Sequence, residues 1–106
     1  MDKTLQLLGL ARRAGRLAIG ADAVAESIKH GRAAAILMTR DASPRHLRTV
    51  EANGYTGKVL TLSADMDAVY RSVGKRSCIF ALEDGGFAAA AEKTLNEEDA
   101  HHASKI

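Results

Sequence analysis

At 106 residues, 46% apolar and 26% charged, the chain has the size and balance of one modest globular core. No apolar run approaches the roughly 18 residues of a membrane span, and Met1-Asp2-Lys3-Thr4 lacks the pattern of a secretory signal. The single cysteine, Cys78, excludes an intramolecular disulfide, so the expectation is a protein of the reducing cytoplasm with no membrane association.

The net charge of +2 is too small to name a partner, but its distribution is uneven. Residues 1–48 carry nine Lys/Arg against four Asp/Glu, and residues 49–106 carry six against nine. The first half is therefore expected to present a basic face.

In chain order, residues 3–14 place Leu7, Leu10, Ala11 and Ala14 at helical spacing, with Gly15 as a stop. Leu17-Ala18-Ile19 is a short extended run. Gly20 opens a second helix whose expected inward stripe is Ala21, Val24, Ala25 and Ile28, closed by Gly31. Residues 34–38 read as a buried strand. Ser43-Pro44 starts a third helix carrying Leu47 and Val50 inward, and Asn53-Gly54 ends it. Lys58–Leu62 is a strand, Met66, Val69 and Val73 mark a fourth helix ended by Gly74, and Ser77–Leu82 is the last strand. Phe87, Ala90, Ala91 and Leu95 give a closing helix. Residues 96–106 are polar and are expected to be a disordered tail behind a single domain over residues 1–95.

Alternation of this kind predicts a three-layer α/β/α sandwich with a small, mostly four-stranded mixed sheet. No catalytic residue, metal site or cofactor is expected. Cys78 sits in an apolar run, as a core cysteine would. His30 suits a helix C-terminus, His46 lies on the third helix, and the adjacent His101-His102 are poor metal ligands on a loose tail. No Gly-rich nucleotide loop is present.

One stretch remains, Arg12-Arg13-Ala14-Gly15-Arg16-Leu17-Ala18-Ile19-Gly20-Ala21-Asp22. It joins a basic helix end to the N-terminus of a second helix, whose free N–H groups and dipole suit phosphate. Arg12 and Arg13 also complement their own helix dipole, and glycine before a helix is common, so spacing alone leaves both readings open.

Leu8-Gly9-Leu10-Ala11-Arg12-Arg13-Ala14-Gly15, Gly20, Asp41-Ala42-Ser43, Gly74-Lys75 and Asp84-Gly85-Gly86-Phe87-Ala88 carry a resemblance. Over roughly residues 3–95 the chain resembles the kink-turn-binding ribosomal protein family, large-subunit L-seven-Ae type. Within it, the chain is most similar to the small stand-alone bacterial members called YlxQ-like. The resemblance implies an α/β/α fold, no enzymatic cofactor, and binding to sharply bent RNA. It places the RNA site at the start of the second helix and in the loop between the fourth helix and the last strand.

The family pattern there is glycine, any residue, asparagine, glutamate, two residues, lysine. In this sequence the glycine is Gly20, with Ala21 as the free position; Asp22, Ala23 and Glu26 stand at the asparagine, glutamate and lysine positions. An amide donor has become an acceptor-only carboxylate and a cation has become an anion. The second loop, Gly74-Lys75-Arg76-Ser77, is short and basic where many members carry a longer apolar one.

The resulting expectation is a non-catalytic, ribosome-associated or other structured-RNA binder, with ribosomal or RNA-processing proteins as further partners. Arg12, Arg13, Arg16, Lys29, Arg32, Lys75 and Arg76 would supply its electrostatic footprint. Two alternatives stay open: an adaptor for proteins with a degenerate RNA site, and a substrate-recognition module beside an RNA-modifying enzyme.

Overall fold

A computed structural model describes residues 2–104, with side chains through Glu98. Its elements are α1 (Lys3–Arg13), β1 (Leu17–Ile19), α2 (Ala21–Lys29), β2 (Ala35–Met38), α3 (Pro44–Ala52), β3 (Val59–Thr61), α4 (Met66–Val73), β4 (Ile79–Leu82) and α5 (Gly85–Ser104).

Local chemistry accounts for most boundaries. The Asp2 carboxylate accepts from the Thr4 and Leu5 amides at 2.8 and 3.2 Å and starts α1. Pro44 follows the Ser43 cap of α3, and Asp65 caps α4 by accepting from Ala68 N–H at 2.9 Å. Gly74, at φ 84°, ends α4 in the left-handed conformation.

The four strands form one sheet in the order β1-β4-β2-β3. β4 runs antiparallel to both of its neighbours, with Ile19 opposite Phe80 and Met38 opposite Ile79. β2 and β3 are parallel. Consequently the C-terminal ends of β1, β2 and β3 and the N-terminal end of β4 all lie at one end of the sheet.

Side-chain alternation divides the core into two layers. Ala35, Leu37, Phe80 and Leu82 pack with Leu8 of α1, Val69 and Val73 of α4, and Ala91 of α5. Ile36, Met38, Ile79 and Ala81 pack with Val24 of α2 and Val50 of α3. Both faces are covered, so β2 and β4 read as unbroken apolar runs and the molecule is the three-layer α/β/α sandwich. The edge strands β1 and β3 are three residues each, too short to offer much template for unwanted pairing.

Several inward faces differ from the helical-wheel reading. Leu10 is half exposed, Ala14 and Ala21 are exposed, and Leu47 is 42% exposed, whereas Thr4, Gly9 and Ser27 are buried. The reason is steric. Gly9 lets α1 approach α4 so closely that a Cβ there would sit 3.2 Å from the Ser72 carbonyl oxygen, which rotates α1 and turns Leu10 outward.

Cys78 precedes β4 and is only half-buried, not a strand core position. α5 runs past residue 96, through Ser104. Thr94 and Glu98 reach back to Thr4 at 2.6 and 3.3 Å, and Ser63 donates to Glu98 at 3.2 Å, so tertiary contacts anchor this part of the helix. Residues 105–106 and the His101-His102 side chains lie outside the described residues. No described helix is long and apolar enough to cross a membrane.

Candidate nucleic-acid interface

The sheet topology assembles the site. Gly20 follows β1, and its N–H donates to the Ile79 carbonyl at 3.1 Å, at the start of β4. On the other side of β4, Thr39 N–H donates to the Cys78 carbonyl at 3.0 Å. The loop 74–78 therefore comes down between the start of α2 and the end of β2. Ser77 steadies it, its hydroxyl accepting from Ile79 N–H at 3.1 Å.

Gly20 caps α2 with φ 96° and ψ 160°, a region that side chains other than glycine rarely adopt. Among the described residues no side chain caps this terminus, and apart from its chain neighbours nothing lies within 4 Å of where a Gly20 Cβ would be. The first-turn amides of Ala21, Asp22 and Ala23 thus have no side-chain cap, and the space above Gly20 is open. Asp22, Ala23 and Glu26 are all exposed, while Val24 and Ser27 face the core. Two carboxylates consequently stand on the solvent face of α2.

The two loop cations differ. Lys75 is exposed. Arg76 folds back on α4: its Nη1 pairs with Asp67 and its guanidinium lies 4.5 Å from the Tyr70 ring centroid. The Asp67 hydrogen bond, more than its charge, raises the basicity of Arg76 still further.

The remaining basic residues are spread out. Arg12 is exposed, but its Nη1 donates to the Val73 carbonyl at the end of α4 and so braces the start of the loop. Arg13 lines a groove between α1 and α4 instead. Arg16 accepts through its carbonyl from Glu83 N–H at 2.9 Å, beside the end of β4, and so stands at the opposite end of β1 from Gly20. Lys29 stands at the far end of α2, about 13 Å from Gly20 at 1.5 Å per residue; Arg32 lies beyond that end and faces Glu83 at 3.4 Å.

Other groups were missed in the sequence. Arg40 and Asp41 follow β2 at the same end of the sheet, Arg40 facing Asp65 at 3.6 Å and Asp41 accepting from Met66 N–H at 3.1 Å. Arg45 and Arg48 are exposed on α3, which packs beside α2. All three arginines contribute to the basic first half; only their position relative to Gly20 was hidden.

No protein-family model matches the chain. The RNA-binding protein YlxQ of Bacillus subtilis (strain 168) is 38% identical over 84 residues, covering 77% of this chain and 84% of the relative. The chain belongs to the YlxQ family. A second YlxQ, the RNA-binding protein of Enterococcus faecium, is 27% identical over 95 residues, covering 89% of this chain and 92% of that one. The fold is shared with a protein of unknown function from Bacillus halodurans, with TM-score 0.77, 23% identity, and coverage of 91% of this chain and 99% of that one. It is shared also with the 15.5kD RNA binding protein of Giardia lamblia, with TM-score 0.62, 14% identity, and coverage of 91% and 84%. At these identities the structural likenesses to this YlxQ-family chain speak for the fold alone.

Proposed function

We propose that this chain is a non-catalytic RNA-binding protein that holds structured RNA where α2 begins. The observation that carries this reading is the Gly20–Ile79 hydrogen bond, which sets the uncapped amides of Ala21, Asp22 and Ala23 beside the basic loop 74–78. Amides at a helix start donate to a phosphate without steric cost at Gly20, and Lys75 adds an exposed cation. Arg40, Arg45 and Arg48 lie on the neighbouring elements. The names of the YlxQ relatives support the same partner.

The finer reading is a cytoplasmic bacterial protein for sharply bent, ribosomal or similar RNA, in which the usual base-edge donors of the α2 face are replaced by Asp22, Ala23 and Glu26. Affinity then rests on the backbone and the basic loop. Binding to fragmented bacterial RNA, measured by filter retention at several salt concentrations, tests this reading. A linear fall of log affinity with log salt, with a slope of a few phosphates, is expected. Absence of binding at low salt, or an affinity indifferent to salt, would sink it.

A protein adaptor is the second reading, favoured by the two exposed carboxylates Asp22 and Glu26. It requires that RNA not bind at low salt.

A further inference from the structure

We propose that the groove between α1 and α4 is a second RNA-contact surface, receiving the sugar-phosphate backbone of a strand that leaves the α2 interface. This rests on the RNA-binding reading above. The groove, about 420 Å³, is lined by Leu5, Gly9 and Leu10 together with two arginines, Arg13 and Arg71. Among the described residues, no carboxylate lines it. The close approach at Gly9 and Ser72 brings the two helices together so that both guanidiniums serve one opening.

These two arginines differ from their neighbours. Arg12 is spent on the Val73 carbonyl, and Arg76 on Asp67 and Tyr70. Among the described residues, neither Arg13 nor Arg71 makes an ion pair. The Arg71 Nε makes only a long 3.4 Å bond to the Asp67 carbonyl, which leaves its terminal nitrogens available. Two unpaired guanidiniums in a groove without anions are complementary to phosphate, which Arg engages by paired N–H donors.

The groove is joined to the interface through the chain. Ser72 lines it, Val73 and Gly74 are braced by Arg12, and Gly74 opens the loop that ends beside Gly20. From Gly74 to Ile79 the chain spans at most about 18 Å, a reach of a few nucleotides. Half-exposed Leu10 would equally suit an apolar peptide, but the unpaired cations and the adjoining basic loop favour the nucleic acid strand.

The test is photocrosslinking to bacterial RNA labelled with 4-thiouridine, with adducts mapped by mass spectrometry, alongside salt-dependent filter binding. Adducts are expected both in the loop 74–78 and in residues 5–13 or 71–72. Arg71→Gln should reduce the groove adducts at least threefold, leave the loop adducts in place, and lower the salt slope by about 0.7–0.9, one phosphate contact. Adducts confined to the loop and the start of α2, or a slope that Arg71→Gln does not change, overturn the proposal while the RNA-binding reading stands. A protein that yields no adducts anywhere defeats both. Saturable binding of a Glu/Leu-containing peptide to the groove, without groove adducts, assigns the surface to a protein partner and overturns it as well.

Discussion

The Arg76 guanidinium lies over the Tyr70 ring, 4.5 Å from its centroid, while its Nη1 pairs with the Asp67 carboxylate. The cation of the α4–β4 loop is thereby tethered to the first turns of α4 and partly neutralised. Asp67→Asn removes the anion and frees the guanidinium to swing toward a phosphate. RNA affinity should rise several-fold, and the melting temperature should move by no more than a few degrees because the pair is exposed. Filter binding and thermal melting on the same preparation check this; unchanged or weaker RNA binding would place Arg76 outside the interface.

Gly20 offers a test of backbone rather than charge. Its φ of 96° disfavours any side chain, yet among the described residues nothing beyond its chain neighbours lies within 4 Å of an added Cβ. Gly20→Ala should therefore cost conformational strain alone, on the order of 1–2 kcal/mol in urea unfolding. It should also weaken RNA binding by narrowing the open space over the first turn of α2. A variant as stable as the parent would show that this backbone relaxes freely.

The altered face of α2 gives the third expectation. Asp22, Ala23 and Glu26 are exposed, so replacing them leaves the core untouched. Asp22→Asn, Ala23→Glu and Glu26→Lys together restore the donors and charge of the pattern that this sequence resembles. A standard kink-turn RNA is expected to bind the parent weakly and the triple variant at least tenfold better, equivalent to about 1.4 kcal/mol. Tight binding by the parent with no gain in the variant would mean that the Gly20 backbone and the loop carry the contact alone.

The junction of α1 and α5 predicts a pH response. Burial first, then the facing Asp2, raises the Glu98 pKa above its ordinary 4.5, against the opposing Ser63 and Thr4 hydroxyls. The folded state therefore holds this proton more tightly than the unfolded chain. Its stabilising contribution is complete below about pH 4.5 and is lost as pH rises through the folded value. Glu98→Gln should flatten that part of the stability profile and leave the protein at least as stable as the parent at pH 7. Urea unfolding across pH 4–7 measures it, and a variant that loses stability at pH 7 would show that the carboxylate's hydroxyl contacts dominate.

Much of the fold was legible from local pattern. The start of α3 followed from Ser43-Pro44 and the end of α4 from Gly74, because caps and stops act over a few residues. The inward side of each helix was less legible. Leu10 and Leu47 turn outward while Thr4 and Ser27 are buried, since the rotation of a helix is set by what it meets, such as the Gly9–Ser72 approach, and not by its own periodicity. Glu98 belongs to an ordered helix for the same reason: its partners Thr4 and Ser63 lie far away in the chain.

The candidate site divides along the same line. The sequence by itself determined that Gly20 precedes a helix, that Lys75 and Arg76 form a short basic loop, and that Asp22, Ala23 and Glu26 lie on its exposed side, all properties of a few consecutive residues. Only the tertiary structure decided that these segments meet. The unbroken apolar run of β4 reports that both faces are buried, but it is silent on which strands lie alongside and in which direction. Insertion of β4 antiparallel between β1 and β2 is what sets Ile79 beside Gly20 and leaves Arg16 at the other end of the strands. That pairing is a contact between residues some sixty positions apart, chosen by the packing of both layers together, and no local stretch of sequence encodes it.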